Sequence, residues 1–143
     1  TSIMKWVDGR PQWVETAGIE EQRQRRIDTI RAACSEAILS GFASSALGTA
    51  HHYPAQLTDQ ANLSGSATDS LMPGLPEDWS TPFWCADQNG DWQLRPHSAG
   101  QIQQVSKDGK AAIVRATVLH DQLRRQLQEA PDVAAIEAVQ WPE

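Results

Sequence analysis

The sequence predicts an α+β fold in which two long antiparallel helices pack on a small antiparallel sheet, made of a hairpin plus an edge strand. Apolar residues at steps of three and four predict the helices, over residues 19–40 and 98–129. Between them, residues 83–94 carry two aromatic, apolar runs around Asn89-Gly90, a dipeptide typical of hairpin turns. A chain of 143 residues is long enough to bury a core of its own.

Residues 1–17 are predicted to be an extended N-terminal arm, and residues 18–143 a single α+β domain. Trp6 and Trp13 stand on either side of the turn signal DGRP, so the arm fits two short strands or one extended segment. Tryptophans on such an arm are expected to pack on this domain or on a partner.

The first helix carries an apolar stripe that includes Ile30 and Cys34. The small residues after it, GFASSALGT at 41–49, fit a last loose helical turn or a loop. Cys34 and Cys85 are both expected to be small buried hydrophobes. Sequence leaves a disulfide between them open, although a reducing compartment is the simpler interpretation.

Residues 51–56 are predicted to form a short strand anchored by Tyr53, and Pro54 places that strand at an edge. A short helix that ends at about Met72 is predicted next, with Thr58 or Asp59 as its cap. It is expected to be weak, because a glycine and three serines lower its helix propensity.

The loop over 73–82 is rich in turn residues, and Trp79 is expected to plug it against the core. The second long helix begins after Ser98, a predicted N-cap. Gly109 interrupts its apolar stripe at one position. Pro131 ends it, and Asp132 is expected to cap a final helix over 133–139.

The charge and the apolar content of the chain argue against several classes of function. The 18 acidic and 12 basic residues give a formal charge of −6, which argues against general binding to nucleic acid or to anionic membranes. The start of the chain lacks the basic-then-apolar pattern of a signal peptide, and no apolar run approaches about 20 residues. Synthesis in a cytosol is therefore expected.

No motif for nucleophilic catalysis, nucleotide binding or a zinc site occurs in the sequence. Three residues with acidic or amide side chains lie in the hairpin turn: Asp87, Asn89 and Asp91. Their spacing does not match the ligand positions of an EF-hand calcium loop. Aspartate and asparagine are common in turns, which accounts for their presence here. The sequence therefore predicts no catalytic residue, no metal site and no cofactor.

The histidines support one alternative function. His51 and His52 are adjacent, so in a strand they point to opposite faces and make a poor joint ligand set. With Asp59 nearby, they leave a small metal-binding or hydrolytic enzyme as an alternative. His97 and His120 are isolated and are expected to lie at the surface or in an interface.

Six tryptophans are many for this chain, which has one tyrosine and two phenylalanines. Tryptophan serves as core filler or as an interface anchor, and packing against the long helices is favoured for the set as a whole. A more specific interpretation assigns partner binding to four of them: Trp6, Trp13, Trp79 and Trp141. Trp84 and Trp92 flank the hairpin turn and either meet across it or lie on opposite faces.

Four segments in order carry a resemblance to a known family: RRIDTIRAACSEAI, HHYPAQLTDQANLSGSA, WCADQNGDWQL and PDVAAIEAVQWP. Over about residues 20–142 the chain resembles a domain of unknown function from small proteins of tailed bacteriophages and prophages, often encoded beside tail-fibre genes. It is also similar to the C-terminal part of phage tail-fibre assembly proteins. The Asn-Gly turn stands where that family often has other polar residues.

The resemblance implies no catalytic residues. It implies a non-enzymatic phage tail protein that binds a tail-fibre or baseplate protein, either as a virion component or as a fibre-assembly chaperone. Such a protein would work in the host cytoplasm during assembly or in the virion tail. A self-associating adaptor, whose long helix pairs with a copy of itself, is a further alternative.

Overall fold

The computed structural model describes residues 2–7, 9–15 and 18–143, with side chains at 9, 10 and 18–143. It has an α+β fold, as predicted. Over these residues the elements in order are β1 (Ser2–Val7), β2 (Arg10–Glu15), α1 (Gly18–Leu39), β3 (Phe42–Ser44), β4 (His51–Tyr53), α2 (Leu57–Asp69), β5 (Ser80–Ala86), β6 (Trp92–Ser98), α3 (Ala99–Glu129) and α4 (Val133–Ala138). None of the described helices combines the length and the apolar character that a membrane crossing requires.

The chain divides into two compact units, one formed by Thr1–Cys34 with Val118–Glu143 and the other by Ser35–Thr117. In the first unit, β1 and β2 form an antiparallel pair within the segment predicted to be an extended arm. The division into an arm and a single domain stays a prediction.

In the first unit, the start of α1 meets the end of α3, as antiparallel helices require. Ile30 packs in a buried cluster with Leu123 and Leu127. The guanidinium group of Arg23 donates hydrogen bonds to the carbonyl oxygens of Leu127 and Ala130. The Leu127 carbonyl lies in the last turn of α3 and also accepts from the amide of Ala130 at 3.4 Å, while Ala130 directly follows the helix. Arg23 therefore caps the end of α3, where carbonyls lack the full set of helical donors.

The second unit contains a four-stranded antiparallel sheet in the order β3-β4-β5-β6. The predicted hairpin is β5 and β6, and the predicted strand near 51–56 is β4. Residues 42–44 form β3, although the sequence favoured a turn or a loop there, and β3 pairs with β4. The edge position predicted for β4 is therefore wrong: β4 lies between β3 and β5, and Pro54 follows the strand instead of lying within it. The free edges belong to β3 and β6, and β6 carries Pro96 opposite Pro82 of β5.

The core of this unit lies between the sheet and the helices. Tyr53, the predicted anchor, is fully buried and stacks on Phe42 with ring centroids 5.6 Å apart. The ring of Phe42 reaches α3 at Gly109, where a Cβ would lie 2.8 Å from the phenylalanine Cζ. The glycine that interrupts the apolar stripe of α3 therefore makes room for Phe42. Cys34 and Cys85 are both buried, as predicted.

The hairpin turn differs from the tight Asn-Gly turn that the sequence suggested, because the connection spans residues 87–91. The carboxylate of Asp87 accepts hydrogen bonds from the amides of Asn89 and Asp91, at 2.9 and 3.0 Å. The amides of Asp91 and Asn89, in that order of importance, lower the pKa of the Asp87 carboxyl. Gly90 closes the turn at a φ of 78°, in the left-handed region.

Two of the predicted caps are confirmed. The hydroxyl of Ser98 accepts from the amide of Gln101 at 3.2 Å, and the Gln101 side chain accepts from the Ser98 amide at 2.8 Å. The carboxylate of Asp132 accepts from the amide of Ala135 at 2.8 Å at the start of α4. Such reciprocal or single caps satisfy amides that a helix leaves without partners.

The predicted cap of α2, Thr58 or Asp59, is wrong, because the N-cap is Gln56, two to three residues earlier. The helix begins at Leu57, and Asp59 lies inside its first turn instead of capping it. The carboxylate of Asp59 accepts from the amide of Gln56 at 3.0 Å, which is the return half of a capping box.

Candidate functional site

The outer surface of the hairpin exposes three large apolar side chains. Trp84 is 51% exposed, Trp92 47% and Leu94 56%. Trp84 lies directly opposite Leu94 in the β5–β6 register, and Trp92 lies two residues from Leu94 on the same strand. Alternation along each strand therefore places all three side chains on one face of the sheet. We call these three residues, together with His52, the aromatic face.

His52 joins the face from the neighbouring strand β4. Its ring and the Trp92 indole are in a T-shaped contact, with centroids 5.9 Å apart and planes at 88°. The Nε2–H of His52 donates to the carbonyl oxygen of Ser40 at 2.8 Å, just after the end of α1, which orients the imidazole. Trp84 and Trp92 also line a shallow hollow of about 270 Å³ together with Pro54 and Asp59.

Packing against the long helices, favoured for the tryptophans as a set, is wrong for Trp84 and Trp92. The neighbours Phe83 and Cys85 are buried and occupy the inner face of β5. Because successive side chains in a strand point in opposite directions, Trp84 must face outwards. The alternation of side chains along Phe83-Trp84-Cys85 already indicated in the sequence that the tryptophan faces away from its two neighbours.

The four tryptophans assigned to partner binding lie elsewhere. Trp79 is half-buried against the core of the second unit, as expected for a plug of its loop. Trp141 is half-buried against the buried cluster of the first unit. The side chains of Trp6 and Trp13 lie outside the described residues. Partner binding by these four residues stays a prediction.

A buried hydrogen-bonded pair lies behind the aromatic face. The Tyr53 hydroxyl and His97 Nε2 are 2.7 Å apart, and both side chains are fully buried. His97 Nδ1 is 2.8 Å from the carbonyl oxygen of Arg95. A carbonyl only accepts, so Nδ1 carries the proton, and Nε2 accepts from the tyrosine.

The surface or interface position expected for His97 is therefore wrong. On β6 its side chain points inward and contacts the rings of Tyr53 and Phe83, at centroid distances of 5.6 and 6.5 Å. Burial lowers the pKa of His97, which keeps the imidazole neutral. Burial is also the main reason that the pKa of Tyr53 is raised, so the hydroxyl keeps its proton.

These shifts predict a pH dependence of stability. The folded state holds His97 below its ordinary pKa of 6.5, whereas the unfolded chain takes up the proton near that value. The free energy of unfolding should therefore fall as the pH drops below about 6.5, by up to roughly 1 kcal/mol per pH unit until the folded-state pKa is reached. Urea denaturation at pH 7.5, 6.5 and 5.5 measures this slope.

His97→Gln is the matched variant for that measurement. Glutamine keeps a polar side chain but has no proton to gain in this range, so the slope between pH 6.5 and 5.5 should become shallower. An unchanged slope would assign the pH dependence to other groups.

The residues of the alternative metal site are engaged separately. His51 Nδ1 donates to the carbonyl oxygen of Thr49 at 2.8 Å, while His52 points to the opposite face of β4. Asp59 serves the start of α2. Within the part of the chain that the structure describes, no group of three or more His, Cys, Asp or Glu side chains is placed to hold a metal ion.

Comparison with curated proteins and with solved structures gives no match. A family model described as a domain of unknown function, DUF4376, matches residues 21–140. The match takes in most of α1, all of β3–β6, α2 and α3, and the whole of α4. The chain therefore belongs to the DUF4376 family.

Proposed function

We propose that this protein is a non-enzymatic bacteriophage tail protein that binds a tail-fibre or baseplate protein through its aromatic face. The exposure of Trp84, Trp92 and Leu94 side by side is the observation that supports binding. The phage setting rests on the resemblance of the four sequence segments to tail-fibre-associated proteins.

The size of the face suits a centre for protein recognition. Two half-exposed indoles and a leucine present on the order of 300 Å² of apolar surface, which is at the lower end of the range for the largest patch on an ordinary monomer. Tryptophan is enriched among the residues that dominate binding energy, especially where it is held in place before binding. The contact with His52 and the strand pairing hold Trp92 in this way.

Polar groups on the inner side of the hairpin hold the turn in shape. Arg95 lies 3.6 Å from a carboxylate oxygen of Asp87, and its guanidinium group donates to the carbonyl oxygen of Asp91 at 3.1 Å. These contacts brace the turn that joins the two tryptophan-bearing strands.

Capture of partners from phage-producing cells tests the proposal. The tagged protein is expected to co-purify a tail-fibre or baseplate protein, and the double variant Trp84→Ser/Trp92→Ser should lose at least about 90% of that capture, since a central tryptophan contributes 2 kcal/mol or more. The matched control is Leu71→Ser/Met72→Ser, which also removes two exposed apolar side chains, from the turn after α2.

Equal capture by both double variants would overturn the assignment to the aromatic face. Failure to capture any tail protein, together with normal particle assembly in a deletion mutant, would overturn the phage function itself. Light scattering of the wild type and the Trp84→Ser/Trp92→Ser variant shows whether the face joins two copies instead.

Mass spectrometry of purified virions separates the two forms of the function. A virion component is present in stoichiometric amount. A fibre-assembly chaperone binds its partner in the cytoplasm of the host and is absent from the finished particle.

A further inference from the structure

The second unit contains a cavity of about 300 Å³ whose lining includes none of the aromatic-face residues, although Pro54 lines both this cavity and the hollow beside Trp84 and Trp92. Side chains from the end of α1, from α2 and from α3 line it, together with Phe42 and Ala55 of the core. The lining is mainly apolar, with Ile38, Leu63 and Ile113 among its walls. A concave apolar space of this volume is at the lower end of the range found for small-molecule sites.

Four of the described residues of the lining have polar side chains, and only one of these is charged: Gln60, Ser64, Ser106 and Lys110. Gln60 already donates its side-chain amide to the carbonyl oxygen of Ala55 at 2.9 Å. Lys110, which is exposed, is the one charged residue among the described residues of the lining. An apolar space with a single cation at its margin complements a ligand that is apolar at one end and anionic at the other.

We propose that this cavity binds a small amphipathic carboxylate, with its apolar body between the helices and its carboxylate at Lys110. A cavity of about 150 Å³ holds benzene, so twice that volume accommodates an apolar body of roughly ten to twelve non-hydrogen atoms. A medium-chain fatty acid such as octanoate, with about ten such atoms, fits this limit.

Titration calorimetry with octanoate and with octan-1-ol tests the proposal on the full-length protein at pH 7.5. Octanoate is expected to bind saturably with a Kd below about 1 mM, and the alcohol, which lacks the charge, about two- to fivefold more weakly. That ratio is what a solvent-exposed ion pair contributes.

Two lysine variants of the same helix separate a specific contact from general charge. Lys110→Met should weaken octanoate binding about two- to fivefold and leave octan-1-ol unaffected. Lys107→Met removes the same charge three residues away, outside the lining, and should bind octanoate like the wild type. Equal weakening by both variants would overturn the role of Lys110.

A space-filling variant tests the cavity. Ala112→Leu places a larger side chain into the lining and should abolish binding of both probes, whereas Ala61→Leu adds the same atoms to an exposed position of α2. If Ala112→Leu does not fold, the comparison of Lys110→Met with Lys107→Met still tests whether octanoate binds at this cavity. Absence of saturable binding of either probe to the wild type, or unchanged binding to folded Ala112→Leu, would overturn the proposal without bearing on the aromatic face.

Discussion

Gly41→Ala is expected to lower the free energy of unfolding by about 3 kcal/mol or more, and the melting temperature by about 10 °C. Gly41 connects α1 to β3 at a φ of 100°, in a region that side chains disfavour by roughly 1–2 kcal/mol. A Cβ there would also lie 2.3 Å from the carbonyl oxygen of Tyr53 and 2.6 Å from His52 Nε2. The first of these is a backbone atom in β4, so relief of the collision requires the sheet to move.

Gly90→Ala separates the two causes. Gly90 has a φ of 78°, but a Cβ there would meet nothing within 4 Å. Its substitution should therefore cost only the roughly 1–2 kcal/mol of the backbone conformation. Urea and thermal denaturation of both variants measure the difference, and equal losses would show that the packing of Gly41 against β4 is unimportant.

His97→Leu is expected to destabilise the protein by about 3 kcal/mol. The change removes the acceptor of the Tyr53 hydroxyl, and a buried hydroxyl without a partner costs about 1–3 kcal/mol. It also removes the donor to the Arg95 carbonyl and the ring contacts to Tyr53 and Phe83.

A double-mutant cycle with Tyr53→Phe assigns the share of the hydrogen bond. Tyr53→Phe leaves His97 Nε2 without its partner and His97→Leu leaves the Tyr53 hydroxyl without its partner, whereas the double variant removes both atoms of this bond. The double variant should therefore be more stable than the sum of the single effects by about 1–2 kcal/mol. Chemical denaturation at pH 7.5 measures the cycle. Additive effects would mean that the hydroxyl and the imidazole do not stabilise each other.

Local patterns predicted most of the elements. The periodic apolar positions gave both long helices to within about one residue, because a helix longer than five turns repeats its signal many times. The caps at Ser98 and Asp132 were predictable because each involves a side chain and an amide only three residues apart.

Features that depend on distant partners were not predictable in the same way. Strand β3 has only three residues, and it forms because β4 pairs with it. The Tyr53–His97 bond joins residues 44 positions apart, so no local pattern announces a buried histidine. The turn at Asp87 differs from a tight hairpin because one carboxylate binds two amides at once.

The candidate site was predictable in part. The tryptophan count directed attention to protein contacts, but partner binding was assigned to the four tryptophans outside the hairpin. The aromatic face could have been derived from the alternation of Phe83, Trp84 and Cys85 once that segment was taken as a strand. Its extension to His52 required the pairing of β4 with β5, at His52 and Ala86, which only the fold provides.

Two prolines of the hairpin, Pro82 and Pro96, lie opposite each other and help the protein to avoid uncontrolled polymerisation. Pro96 interrupts the amide donors along β6, a free edge of the sheet, and Pro82 removes another donor on the strand beside it. An unprotected edge recruits strands from other molecules, and proline is one of the residues that natural sheets use to prevent this. A chain with two exposed indoles can therefore present their faces to a partner while its edge resists the growth of a continuous intermolecular sheet.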